Sequence, residues 1–233
     1  MRLNEFANPS YFISVNSSLN PAIWNGTDLD PRVREKLLKI AQVFEKFVGI
    51  DLKILDVTLT GSNANYTWTK FSDLDLHLIV ANDITDELRE LFNAKKALWA
   101  EHHDITIKGL PVECYVQGAK DEHHSTGIYS IAKSKWLVTP KKTKPSIDDS
   151  SVQRKLDAVV HDVTAAMSGH DEKRISKIKE RITNMRKSGL ERAGEWSTEN
   201  LVFKALRNMG VIDQLSQKIR DLEDRELSLE QIR

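Results

Sequence analysis

Residues 60–77 read TGSNANYTWTKFSDLDLH, and the reading of this run decides the fold. Before it, residues 52–60 (LKILDVTLT) are rich in β-formers and stop at Gly61-Ser62. After it, residues 73–80 (DLDLHLIV) predict a second strand. Successive side chains on a strand point to opposite faces, so Asp73, Asp75 and His77 share one face and Leu74, Leu76 and Leu78 the other. Gly61 allows a sharp turn and a close backbone approach to a ligand. Ser62 and the N–H groups after it suit a phosphate. Two carboxylates aligned on one face repel unless a cation sits between them, and a hard divalent ion such as Mg²⁺ is the natural occupant.

A third acid lies further along, in residues 112–117 (VECYVQ). Val112, Cys114 and Val116 alternate with Glu113, Tyr115 and Gln117, so Glu113 faces away from the apolar layer. If this strand neighbours the DLDL strand, Glu113 completes an acidic trio. Three carboxylates, metal ions and a phosphate-cradling turn are the parts of two-metal phosphoryl or nucleotidyl transfer. The competing reading is an exposed strand face carrying ordinary surface acids.

Working outward, residues 1–29 read as irregular, anchored by Tyr11, Phe12, Ile13, Ile23 and Trp24. Asp30 caps a helix with Pro31 at its first position, and Val33, Leu37, Ile40, Ala41, Phe44 and Val48 form its buried stripe before Gly49. A second helix is expected from Asp83, burying Ile84, Leu88, Leu91, Phe92 and Leu98 and closing near His102-His103-Asp104. Short strands ITIKG and VECYVQ follow, joined by a tight turn at Gly109–Pro111. This alternation predicts an α/β (α+β) chain: a small mixed-sheet core followed by an all-helical C-terminal module. The expected boundaries are 1–138 for the core with its N-terminal capping segment, 139–150 for a linker rich in Pro and Lys, and 151–233 for the helical module.

Composition narrows the function classes. The 34 Lys+Arg balance 34 Asp+Glu, which excludes a uniformly basic nucleic-acid binder but not a local basic patch. At 29% charged and 40% hydrophobic residues, with no apolar run near the roughly 20 residues of a bilayer span, neither a membrane protein nor wholesale disorder is expected. The opening MRLNEFANPS has no apolar h-region, so no signal peptide is expected and the location predicted is cytoplasmic. Cys114 is the single cysteine, which leaves no intrachain disulfide and no CxxC metal site.

The segment GSNANYTWTKFSDLDL, with the later strand acid, resembles the signature of the DNA polymerase β-like nucleotidyltransferase superfamily, and its spacing is similar to the minimal nucleotidyltransferase type. LNPAIWNG, VECYVQ and STGIYS with Trp136 extend the resemblance to an uncharacterised, largely phage-encoded branch, for which the compartment would be the host cytoplasm. The resemblance implies that Asp73 and Asp75 hold two Mg²⁺ (or Mn²⁺) ions. It also implies that Glu113 ligates the catalytic metal and helps to deprotonate an attacking hydroxyl, and that Gly61 and Ser62 contact the triphosphate of an NTP substrate. The acceptor would be an RNA 3′ end, a protein side chain, a small molecule or another nucleotide. Two departures stand out: Asn63 where the minimal type carries a basic residue, and Tyr66 where it carries a glycine.

Further candidates come from position alone. Asn63 belongs to the turn, and His124 and Tyr129 follow the third acid, so all three are candidates for the nucleotide pocket. Tyr66 and Trp68 either stack on a base or pin the loop to the core. Residues 133–144 interleave Lys with Trp136, and a second basic stretch runs through 173–192. The alternative function is a catalytically silent nucleotide- or partner-binding module, of the kind found in toxin–antitoxin or virus–host interactions.

Overall fold

The computed structural model describes residues 15–121, 125–142, 149–169 and 171–229. The chain divides into two compact units, with the boundary between Lys144 and Pro145. In the first, a two-stranded hairpin, β1 (Trp24–Asn25) and β2 (Asp28–Leu29), precedes α1 (Pro31–Val48). Asp30 caps α1 by accepting from the Arg32 N–H at 2.8 Å, and Gly49 stops it in the left-handed conformation. Val33, Leu37, Ala41, Phe44 and Val48 form its buried stripe.

Then come β3 (Ile54–Thr60), a 3₁₀ turn at Ser62–Ala64, β4 (Leu74–Val80), α2 (Asp86–His102), β5 (Thr106–Ile107), β6 (Leu110–Gly118), β7 (Ile128–Ser130) and β8 (Lys135–Val138). The six-stranded sheet has the order β5-β6-β4-β3-β7-β8. β4 and β6 are parallel and the other pairs antiparallel. A parallel pair needs a crossover, and α2 supplies it. Leu74, Leu76, Leu78 and Cys114 lie buried on one sheet face together with the α1 stripe. The turn between β5 and β6 is Lys108-Gly109, both at positive φ, which matches the twist of a two-residue hairpin.

Two expectations shift. α2 begins at Asp86, because the Thr85 hydroxyl accepts from the Leu88 N–H and so sets the cap. Its buried side is Phe92 and Trp99, while Leu91 and Leu98 are each 40% exposed. The rotation is set by aromatic packing: Trp99 meets Phe44 and Phe47 edge-on at 5.4 and 5.2 Å. The anchors Tyr11, Phe12 and Ile13 lie outside the described residues.

The second unit is helical: α3 (Asp149–Met167), α4 (Glu172–Ala193), α5 (Thr198–Asn208) and α6 (Val211–Leu227). It has a core of its own, formed by Val152, Leu156, Val159, Ile175, Ile182, Leu201, Leu206 and Leu215 among others. Gly189 allows α4 and α5 to approach closely, since a Cβ there would lie 2.6 Å from the Glu199 Cβ. No helix among the described residues is long and apolar enough to cross a membrane.

Candidate active site

Register builds the site. β4 pairs with β6 so that Asp75 stands beside Glu113 and His77 beside Tyr115, and β3 places Thr60 on the other side of Asp75. Adjacent partners in a sheet share a face, so the acids expected to converge do so. One carboxylate oxygen from each of Asp73, Asp75 and Glu113 lies within 4.8 Å of the other two, and all three residues are half-buried. Among the described residues this is the one cluster of metal-ligating side chains. At such a separation two unit charges repel by about 3 kcal/mol at a typical effective protein dielectric, unless a proton or cation intervenes. The donor set is all hard oxygen, which fits Mg²⁺ or Mn²⁺ and not a thiolate-seeking ion.

Gly61 is what allows the turn to lie against this cluster. Its φ of 73° is left-handed, and a Cβ there would fall 1.8 Å from Asp75 Oδ2. The 3₁₀ turn that follows starts at Ser62, and a helical start leaves its first N–H groups without partners of its own. The Ser62 hydroxyl lies 2.8 Å from that of Ser72, which also accepts from the Thr69 N–H at 2.9 Å. The ten-residue loop is thus closed on itself next to Asp73.

Asn63 occupies a different place from the one expected. It is 0% exposed. Its amide donates to the Asp73 carbonyl at 2.7 Å, and its Oδ1 accepts from Asn20 at 2.8 Å. Its backbone carbonyl accepts from the Trp24 indole at 2.7 Å. With its polar groups so engaged, the side chain braces Asp73 and leaves no surface for a nucleotide. Tyr129 is likewise buried, edge-on to Trp24 at 5.0 Å and to Trp136 at 5.2 Å, while Trp24 and Trp136 stack at 4.8 Å. Burial raises the Tyr129 hydroxyl above its ordinary pKa. Trp24 and Tyr129 are buried and Trp136 is half-buried against them, so Tyr129 presents no open aromatic face to a ligand. His124 lies outside the described residues. Tyr66 and Trp68 pin the loop: Asn16 donates to both of their carbonyls, and the Trp68 indole donates to the Ser18 carbonyl at 3.0 Å.

Lys96 and Tyr115 are the site residues that sequence reasoning missed. The Lys96 ammonium donates to Glu113 Oε2 at 2.7 Å and the Tyr115 hydroxyl donates to the same oxygen at 2.6 Å. Lys96 also lies 3.6 Å from the centre of the Tyr115 ring. Burial pushes the Glu113 carboxyl up, but hydrogen bonds from Lys96 and Tyr115, the Lys96 charge and a hydrogen bond with Asp73 outweigh it and hold the group at about 2. Tyr115 itself is driven far above its ordinary value, first by burial and then by the charges of Asp75 and Glu113. His77 stacks on Tyr115 at 4.6 Å and is oriented by Gln117, 2.8 Å from its Nδ1. A cavity of about 320 Å³ runs on from here, lined by His77, Arg89, Asn93, Lys96, Tyr115 and Gln117. The β6 alternation was the sequence signal for Tyr115. Lys96 had none, because its position on α2 is defined only by how that helix rotates.

The chain matches no family model and no curated protein. Among solved structures, a STING-associated CdnE c-di-GMP synthase from Capnocytophaga granulosa aligns over 96% of this chain and 95% of its own, at 12% identity and a TM-score of 0.24. A similarity of that size bears on neither fold nor activity, so the functional reading rests on the site.

Proposed function

We propose that the chain is a metal-dependent nucleotidyltransferase that moves a nucleoside monophosphate from an NTP to a hydroxyl acceptor and releases pyrophosphate. One observation carries this reading: the carboxylates of Asp75 on β4, Asp73 just before it and Glu113 on the adjacent β6 converge beside a glycine turn whose backbone lies against one of them. Asp73 and Asp75 would hold Mg²⁺ or Mn²⁺, with Glu113 completing the set. When bound, such ions neutralise the triphosphate and orient an in-line displacement. The acceptor oxygen bonds to the α-phosphorus while the bond from that phosphorus to the bridging oxygen breaks. Ser62 would present its backbone N–H to the phosphates, and Gly61, whose own N–H donates to the Ser125 hydroxyl at 3.4 Å, would let them approach the backbone closely. Glu113 would ligate the metal and take up the proton of the acceptor hydroxyl, with Lys96 and Tyr115 holding its carboxylate in place. The acceptor class stays open among an RNA end, a protein and a small molecule.

A second reading is a nucleotide-binding module without turnover. It is favoured by the neutral turn Ser62–Asn65, where Asn63 is committed to the fold, and by Lys70, which lies over the Phe71 ring. Incubation with each of the four NTPs labelled at the α-phosphate, with Mg²⁺ or Mn²⁺ and RNA, protein or small-molecule fractions as acceptors, separates the two. The nucleotidyltransferase reading predicts label transfer with pyrophosphate release, absent in Asp75→Asn. Metal-dependent NTP binding with no transfer from any nucleotide selects the second reading.

A further inference from the structure

The helical unit carries a concentration of charge that the site above does not use. A groove of about 620 Å³ is lined by Asp162, Asp171, Lys173, Arg174, Lys177, Ile178 and Arg181, four cations against two carboxylates. Both carboxylates are engaged within the chain. Asp162 pairs with Arg181 at 2.5 Å, and Asp171 caps α4 by accepting from the Arg174 N–H at 3.1 Å. Lys173, Arg174 and Lys177 are exposed, and none of them makes an ion pair among the described residues.

This arrangement costs the helix something. Lys173 and Lys177, and again Lys177 and Arg181, stand four apart, where like charges destabilise by about 0.2–0.5 kcal/mol a pair. They also crowd the first turns of α4, where the helix dipole disfavours positive charge. Asp162 offsets part of this through Arg181 and the Arg174 charge, and Glu172 does so in the first turn, which leaves Lys173 and Lys177 as the cations open to an anion in the groove. The cations at 173, 177 and 181 follow one helix face at a rise of about 6 Å each, a linear array suited to a chain of phosphates. A bilayer surface would require an apolar anchor beside the basic residues, and none of the exposed large hydrophobics lies on α3 or α4.

We infer that the α3–α4 groove is a binding surface for the phosphodiester backbone of single-stranded nucleic acid. It binds through Lys173, Arg174 and Lys177 with no need of the acidic trio or its metal. Recognition is electrostatic and independent of base sequence.

The test is fluorescence anisotropy with a labelled 20-nucleotide single-stranded RNA and the DNA of the same sequence, in EDTA, across a range of salt concentrations. Four proteins are compared: wild type, Asp75→Asn, the triple variant Lys173→Glu/Arg174→Glu/Lys177→Glu, and a control of equal charge change on α1, Lys36→Glu/Lys39→Glu/Lys46→Glu. All substituted lysines and the arginine are exposed, and circular dichroism checks that each variant folds. The surface predicts binding by wild type and Asp75→Asn alike, and a loss of tenfold or more in the triple variant. Each single-strand phosphate contact adds about 0.7 to the salt slope, so the slope should fall by about 2. The two oligonucleotides distinguish a backbone that is read as RNA from one read as any phosphodiester. Absence of wild-type binding, equal loss in the α1 control, or competition by polyglutamate as strong as that by the oligonucleotide would each overturn the inference, the last in favour of an acidic protein.

Discussion

Gly61 is the residue on which the site turns, because its missing Cβ is the space that Asp75 occupies. Gly61→Ala combines a left-handed φ with a hard overlap, so Asp75 or the turn must move. The expected result is loss of metal binding and of turnover, with a stability cost of about 1–3 kcal/mol read from urea unfolding. Asp73→Asn and Asp75→Asn should also abolish turnover, but with the unfolding midpoint unchanged or raised, since the change relieves repulsion between carboxylates. A fall of several kcal/mol in either variant would show that these acids hold the fold together. Lys96→Met leaves Glu113 without its cation. The Glu113 carboxyl, ordinarily 4.5 and held at about 2, should then titrate higher, which NMR of the side-chain carboxyl can follow.

At the scale of elements, the strand–turn–strand unit was legible in the sequence because alternation and glycine are local signals. The acidic trio followed from two alternation patterns once β4 and β6 were neighbours. What local signals do not carry is contact between distant segments. Asn63 looked like a ligand residue because it stands in the turn, yet its role depends on Asn20 and Trp24, some forty residues earlier. Tyr129 looked like a pocket residue because it follows the third acid, whereas β7 carries it into the cluster with Trp24 and Trp136. The rotation of α2, and with it Lys96, was hidden for the same reason: Trp99 was free to choose its face until Phe44 and Phe47 were in place. Asn63→Ala strands the Asn20 amide and releases the Asp73 carbonyl, at a cost of about 1–3 kcal/mol. It should weaken metal binding in proportion, although Asn63 touches no metal.

For the whole molecule, the two units have separate hydrophobic cores, one built on the sheet and α1, the other on α3–α6. Glu199 is the charged hub of the second, paired with Lys155 at 2.5 Å and Arg192 at 2.7 Å. Burial raises its carboxyl and these pairs more than reverse that, bringing it from an ordinary 4.5 to about 2. A depressed carboxylate stabilises the fold above its unfolded pKa and loses that contribution as protons bind. The helical unit should therefore weaken between pH 4.5 and 2, and Glu199→Gln should flatten that dependence while lowering stability at pH 7 by about 2 kcal/mol. Hydrogen exchange should show this loss of protection in α3–α6 and its removal by Glu199→Gln, while the loss that Glu113 brings to β6 over the same window stays in that variant.

On the proposed function, Asp73, Asp75 and Glu113 form one divalent-metal site that serves a nucleotide. Mn²⁺ titration followed by electron paramagnetic resonance, with and without an NTP, tests it most directly. Mn²⁺ binding should be saturable, tighten when the NTP is present and disappear in Asp75→Asn. Undiminished Mn²⁺ binding by Asp75→Asn would contradict it.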